Sequence, residues 1–563
     1  MYIGQIEINN FRKYSHIVIP FNKGLNLFVG ENNSGKSAII DAIRYVIDPD
    51  YYSIRIQPDT DFNEDTKDLE ITLKFVDLTV TEQSIFLEYL TLEDNEDNQK
   101  IPCLYLSLSC SYSNPYRIIK AGIDKDILID DQKVKEQLHM AYFKPLRDAE
   151  NELAPRQQSR LSKILQNFSN TNNYDISKQS VLTALHTFNE TIKTQGIIKD
   201  SNSLAENNLR KLLLKSERDC TKTAIDIPET DNIEKNFKHI SEKLKLDFDH
   251  SKKQGLGYYN LLFMAVELIL LRKSTDIGSF LLIEEPEAHL HPQLQYNLLR
   301  FLNEQIKIEN YPLQIFITTH SPNISSKVPV ENVILLTKDK IFPLAKEYTK
   351  ASDDDYKFLS KFLDVTKSNM FFAKGLIFVE GFSEEILFPV FAKILGYDLE
   401  EYGVSVISIN GTSHSRYAKI LQRKDGVEIP LPCSFVRDKD KLSDDTLGDK
   451  KEDIETNNML KLYYSSEKTL EYDIAKTMWT LSCNILKGLY KDPPDDVVNI
   501  GMKTFTENKD IFYEKMNGRG KSEFAYALSQ NLLNNETLWE KITIPQYIKE
   551  AIEHVINKIC PGI

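Results

Sequence analysis

The stretch Gly30-Glu31-Asn32-Asn33-Ser34-Gly35-Lys36-Ser37 limits the folds open to this chain more than any other, because two glycines closing on Lys-Ser are the pattern of a phosphate-cradling turn. Its flanks fit. Residues 25–29 suit a buried strand entering the turn, and Ala38-Ile39-Ile40-Asp41-Ala42-Ile43 suits a helix leaving it. Such a strand–turn–helix aims the backbone N–H groups of Asn32, Asn33, Ser34 and Gly35, and a helix N-terminus, at a β-phosphate. Lys36 would bridge the β and γ oxygens and Ser37 would ligate Mg²⁺, so ATP with a divalent ion is the expected ligand.

At 563 residues the chain is too long for one core, and roughly 150 residues per domain implies three or four compact units. The longest apolar run, residues 258–271, is interrupted by Glu267 and is too short to span a bilayer, so no membrane partner is expected. The N-terminus opens as an alternating strand rather than a signal peptide. Six cysteines make no CxxC pair and no zinc spacing, which fits reduced thiols in a cytoplasmic protein. A net charge of -14 argues against a protein that coats DNA indiscriminately, and leaves a local basic groove or metal-neutralised carboxylates as the routes to a phosphate backbone.

In chain order, residues 1–29 alternate as two paired strands with Asn9 to Lys13 as their turn, and further strands are expected at 69–75 and 104–108, separated by an acidic stretch at 92–100 read as mobile. From 156 to 244 the apolar period becomes helical (Leu161, Ile164, Leu165, Phe168, then Val181, Leu185, Phe188, Ile192), which predicts a helical insertion with either plain core packing or self-association as its purpose. Gln254-Gly255-Leu256-Gly257 then precedes an apolar helix. Phe280-Leu281-Leu282-Ile283 is a buried strand ending in Glu284-Glu285, and Phe316-Ile317-Thr318-Thr319 is another ending in His320.

Together with residues 30–37, these segments resemble the Walker A, signature, Walker B, D-loop and H-switch of an ABC-type ATPase head, as in RecF-like and chromosome-maintenance proteins. The resemblance implies that Glu284 holds the Mg²⁺ water shell, Glu285 orients the attacking water and His320 contacts the γ-phosphate. It also implies nucleotide contacts from Gln254, Gly255 and Gly257 of a second protomer, hence a homodimer or higher homo-oligomer with composite pockets. Two departures stand out: a glutamate replaces the usual Walker B aspartate, and the signature match is loose.

Beyond an amphipathic connector at 347–374, a new apolar strand, residues 376–379, ends in Glu380-Gly381, and Ser383-Glu384-Glu385 opens a helix. Ser434-Phe435-Val436 leads to Asp438-Lys439-Asp440. Asp-x-Asp alone is most often a solvated loop; after a matching Glu-Gly strand end it resembles the TOPRIM fold, in which such carboxylates gather at one sheet edge and bind a divalent metal. All-oxygen donors suit Mg²⁺ or Mn²⁺.

An ABC head with a C-terminal TOPRIM domain resembles the OLD (overcoming lysogenization defect) nuclease family over nearly the whole chain. The fold implied is α/β: an ABC-type ATPase head (1–155 and 245–346) with a helical dimerisation insertion (156–244), followed by a TOPRIM α/β domain with connector and C-terminal helices (347–563). The resemblance further places Glu471 and Asp473 at an acidic helix start that completes the metal set of Glu380, Glu384, Asp438 and Asp440, and makes Lys521 the functional lysine. By itself Lys521 reads as a surface lysine.

A TOPRIM fold does not decide the reaction. A type II topoisomerase would need a separate tyrosine-bearing cleavage domain and a bacterial primase a zinc module, and neither is present. The reading is an ATP-binding, metal-dependent DNA endonuclease with catalytic Glu285, His320, Glu380, Asp438 and Lys521. The alternative is a nucleotide-switched DNA-binding or scaffold ATPase. Members of the resembled family act in phage defence, alone, beside a helicase or beside a reverse transcriptase.

Overall fold

The structure is a computed structural model that describes residues 1–47, 56–64, 66–94, 98–129, 137–144, 154–155, 159–169, 175–212, 233–244, 255–273, 278–308, 312–338, 340–411, 413–439 and 444–561. The expected site residues Gln254 and Asp440 lie outside them. Two compact units divide the chain: Met1–Lys135 with Leu282–Glu287 and His291–Ile563, and Glu136–Leu281 with Ala288–Leu290.

In the first unit the chain starts as an antiparallel hairpin, Tyr2–Phe11 against Tyr14–Pro20. The turn is tighter than the sequence suggests. Asn9 stays in the strand opposite His16, and Asn10 and Arg12 take positive φ of 57° and 51°, which reverses the chain within Arg12-Lys13. The sheet continues through Asp68–Val76, Lys100–Ser111 and Asn114–Ala121. The acidic stretch expected to be mobile begins instead as the strand Leu90–Asp94, paired with Lys100–Ser111. Glu93 is held there by Lys74 at 2.5 Å and by the Tyr105 hydroxyl.

The second sheet places Leu25–Gly30 between Val333–Leu336 and Leu313–Thr318, parallel to both, with Ser279–Glu284 beyond the latter. Every residue of Leu25–Gly30 is buried, as a central parallel strand covered on both faces requires. Phe28 stacks on Phe316, and Phe21 meets both rings edge-on.

The C-terminal part of this unit is built on a wholly parallel sheet ordered Val404–Ser408, Gly375–Val379, Cys433–Arg437, Leu460–Tyr464. The expected connector contains the helix Asp353–Phe362, whose N-terminus is closed by a Ser352–Asp355 capping box. The helix Gln546–Ile559 packs on three of the sheet's strands, and Phe388 and Phe391 of Phe382–Ile394 are fully buried in the same core.

The second unit contains the strand His139–Phe143 and the helices Arg160–Ser169, Asp175–Thr194, Gly196–Leu212, Ile233–Ser241 and Leu256–Lys273. Ser162 and Ser241 share a buried hydroxyl–hydroxyl hydrogen bond of 2.7 Å. Among the described residues no helix is long and apolar enough to cross a membrane, and the described cysteines are free thiols.

Gly375 marks a close approach of helix and sheet in the C-terminal core. A Cβ there would collide with Val555 Cγ1 and stand 2.8 Å from Ile559 Cδ1. Gly375→Ala is therefore expected to destabilise the fold by about 1–3 kcal/mol through overpacking, read as a lower denaturant midpoint. The double variant Gly375→Ala/Val555→Ala should recover part of the loss; no recovery would show that the steric account is wrong.

Candidate functional site

The phosphate loop joins the buried strand Leu25–Gly30 to the helix Lys36–Ile47. Both of its glycines are needed. Gly30 has φ +144° with the Leu336 carbonyl oxygen where a side chain would go, and Gly35 has φ +98° beneath the Tyr14 hydroxyl. Asn33 also takes a positive φ, 61°, and Asn32 and Asn33 are exposed while Ser34 is buried.

Lys36 folds back over its loop, donating to the carbonyl oxygens of Gly30 at 3.0 Å and Glu31 at 2.7 Å and to Ser34 Oγ at 3.3 Å. Burial pushes its ammonium pKa down to about 8, against the opposing pull of Glu285, Glu287 and Glu31. The hairpin turn braces the same loop: Lys13 Nζ donates to Ser34 O at 2.8 Å and Tyr14 Oη to the same oxygen at 3.2 Å. Arg12 pairs with Asp41 on the loop helix at 2.8 Å.

The strand Ser279–Glu284 carries its terminal carboxylate to Ser37, whose hydroxyl donates to Glu284 Oε2 at 2.5 Å. The two expected Mg²⁺ ligands are thus neighbours. Glu285 turns with φ +44°, a left-handed conformation costly for a side chain with a Cβ, and donates its N–H to the Thr318 carbonyl at 2.9 Å. Its carboxylate lies 3.8 Å from His320 Nε2. Burial, then the Lys36 charge, holds the His320 pKa below its usual range.

Sequence reasoning missed Glu287 as a site residue. Its Oε1 accepts the His320 N–H at 2.7 Å and fixes where that strand end points, and its own pKa is raised by burial. A carboxylate two residues beyond Glu285 was the available signal. Gly255 and Gly257 belong to the second unit, where Gly257 at the start of Leu256–Lys273 lies tight against the His289 carbonyl.

The second group of acids stands at the C-terminal edge of the parallel sheet. Glu380 follows the strand Gly375–Val379, and Glu384 is buried in the first turn of Phe382–Ile394. Asp438 follows Cys433–Arg437, and its Oδ1 accepts the Leu470 N–H at 2.9 Å. Glu471 is buried, taking the Thr469 hydroxyl at 2.7 Å and Lys521 Nζ at 3.0 Å on Oε2. Asp473 accepts N–H groups from Ser466 at 2.8 Å and Glu467 at 3.2 Å, so this carboxylate orders the turn after Leu460–Tyr464.

Burial, then the charges of Glu384, Glu471 and Glu380, drives the Asp438 carboxyl up to about 8. Burial likewise raises Glu384, with Glu471 adding to it. Lys521, balanced against Glu471, is held above its ordinary pKa. Two side chains without a sequence signal complete the surroundings. Arg437 Nε stands 3.5 Å from Glu380 Oε1, and the buried Tyr547 hydroxyl feels Asp473, Asp438, Glu384 and Glu471 together.

Among the described residues, no three His, Cys, Asp or Glu side chains converge as a finished metal cage. The donor chemistry nevertheless fits a hard divalent cation: the acids are all-oxygen donors, and the repulsion that adds to burial in lifting Asp438 is what such an ion offsets.

Residues 25–326 match the family model described as "AAA domain, putative AbiEii toxin, Type IV TA system", and residues 371–440 match "Overcoming lysogenization defect protein-like, TOPRIM domain". The chain is 26% identical over 374 residues to Endonuclease GajA of Bacillus cereus, covering 54% of this chain and 53% of that one. It is 23% identical to OLD nuclease of Thermus scotoductus, covering 72% and 77%. The chain thus spans about half the length of the first of these relatives. A solved C-terminal region of the Burkholderia pseudomallei OLD protein is 21% identical, covering 34% of this chain and all of that one at a TM-score of 0.28. The chain belongs to the AAA-domain family of the first model, as an ABC-type ATPase head joined in one polypeptide to an OLD-like TOPRIM domain.

Proposed function

We propose that this chain is an ATP-binding, divalent-metal-dependent DNA endonuclease whose nucleotide state regulates cleavage, acting in the cytoplasm as a homodimer in anti-phage defence. The observation that carries the reading is the gathering of Glu380, Glu384, Asp438 and Glu471 at one sheet edge, with Lys521 on Glu471, in the same chain as a complete phosphate loop. The names of the relatives, an endonuclease and a nuclease, support the same reaction class.

In the ATPase head, Lys36 would exchange its loop carbonyls for β and γ oxygens, and Ser37 with Glu284 would hold the ion's ligand shell. Glu285 would orient the attacking water beside His320. Gln254, Gly255 and Gly257 would complete the pocket of a partner protomer, through self-association by residues 156–244.

In the TOPRIM domain, Glu380, Glu384, Asp438 and Glu471 would hold Mg²⁺ or Mn²⁺, with Asp440 and Asp473 as further acids of the set. The chemistry such an ion would supply, if held by these acids, is polarisation of the scissile phosphate and a lower pKa for water. Lys521 would then turn toward the phosphate and offset the charge gained in the transition state, while Glu471 and Thr469 fix where its ammonium starts. Arg437 would hold Glu380 in place.

Lys36→Ala is expected to lower ATP hydrolysis by about a hundredfold, and Glu285→Gln to retain ATP while slowing turnover, because the amide keeps the shape but loses the charge that orients water. Equal hydrolysis by wild type and Glu285→Gln would reassign the base. Glu380→Ala, Asp438→Ala and Lys521→Ala should each reduce nicking of supercoiled plasmid by at least about a hundredfold in Mg²⁺ or Mn²⁺, with ATP hydrolysis retained. EDTA should abolish nicking. Persistent nicking by Asp438→Ala at saturating metal would leave the nucleotide-switched binding protein as the better reading.

A further inference from the structure

A chain of net charge -14 that collects Glu380, Glu384, Asp438 and Glu471 at one sheet edge repels a polyanion, except where local cations outweigh those acids. The lysines around the helix Leu470–Thr477 divide by partner. Lys476 and Lys509 both lie on Glu467, at 2.8 and 3.9 Å, and Lys521 lies on Glu471 at 3.0 Å. Lys468 is exposed and forms no ion pair among the described residues. Its ammonium lies instead 5.9 Å from the ring centroid of Tyr513, and the Lys521 ammonium lies 5.3 Å from the same centroid.

Tyr513 is a firm support. Tyr472 stacks on it with centroids 4.7 Å apart and planes at 23°. Tyr472 is itself buried, with its hydroxyl on Asp510 at 2.9 Å. One braced ring therefore collects two ammoniums, of which one touches the acid cluster and the other has no carboxylate partner among the described residues. A ring quadrupole alone is a weak partner for an exposed, hydrated ammonium, so the second charge remains available to an anion.

We propose that Lys468, placed by Tyr513 beside the catalytic Lys521, forms a phosphate subsite that holds the phosphodiester next to the one cleaved, the ligand being the backbone of a DNA strand. The subsite rests on the nuclease reading, which assigns Lys521 but neither Lys468 nor Tyr513. The contact is of charge to phosphate, so it positions the strand without reading its sequence. Tyr513 acts by placing the two ammoniums.

The test is anisotropy of a short fluorescein-labelled duplex with the full-length protein in EDTA, where neither metal nor cleavage takes part, across a KCl series. Lys468→Gln should weaken binding equally for unrelated sequences and reduce the slope of log affinity against log salt by about one. Lys468→Arg should keep the wild-type slope, and Tyr513→Leu should follow Lys468→Gln. Because Lys468 is exposed, Lys468→Gln should keep the wild-type melting temperature and ATP hydrolysis, so a changed slope reports DNA contact rather than misfolding. An unchanged slope in Lys468→Gln, in a wild type that nicks plasmid, overturns the subsite and leaves the nuclease reading standing. A wild type that neither binds duplex nor nicks plasmid overturns both.

Discussion

Parallel strands deliver whatever follows them to a common edge, and both candidate sites depend on that constraint. In the ATPase sheet the loop after Leu25–Gly30 and the end of Leu313–Thr318 emerge side by side because the two strands run parallel in register. In the C-terminal sheet, Gly375–Val379, Cys433–Arg437 and Leu460–Tyr464 do the same for Glu380, Asp438 and the turn leading to Glu471. Strand burial matters as much as direction. A strand buried along its whole length cannot slip by a residue without exposing apolar side chains, so the acids at its end are held to a fixed place.

Charge is the cost of that arrangement. Carboxylates buried at one edge are raised first by desolvation and then by mutual repulsion, as Asp438 and Glu384 show. The chain offsets it locally, with Arg437 beside Glu380, Lys521 beside Glu471 and the Leu470 N–H on Asp438. The nucleotide site is balanced in the opposite sense: Lys36 is the buried charge, kept on its own loop carbonyls with Glu285 and Glu287 as the opposing acids. Each site thus holds a charge for which a ligand of opposite sign is the natural partner.

Left-handed backbone marks both the phosphate loop and the turn after Glu284. Gly30 and Gly35 occupy conformations and spaces closed to larger residues, and Glu285 holds a left-handed turn between Glu284 and the Pro286-Glu287 segment. Tyr14 and Lys13, from the first hairpin, clamp the loop from outside. The phosphate loop is therefore supported by the hairpin turn of the ATPase head's first sheet and by its own strand.

Much of this was legible in the residues themselves. The phosphate loop, the buried strands ending in Glu284-Glu285 and His320, and the Glu380 and Asp438 strand ends are local patterns, because period, burial and a terminal polar residue leave their mark within a few positions. Of the acidic stretch 92–100, residues 95–97 lie outside the described residues, and the strand Leu90–Asp94 that enters it left no local mark because it depends on Lys74 and Tyr105, which are distant in sequence or hidden by alternation. Glu287 on His320, Arg437 on Glu380, Tyr547 behind the acids and Tyr513 between two lysines carried no local pattern at all. The sequence by itself determined which segments become strands, loops and helix starts, since those follow from short-range sterics and hydrophobic period. Only the tertiary structure decided which charges share a site, because electrostatic partnership depends on distance in space, and strand order sets that distance.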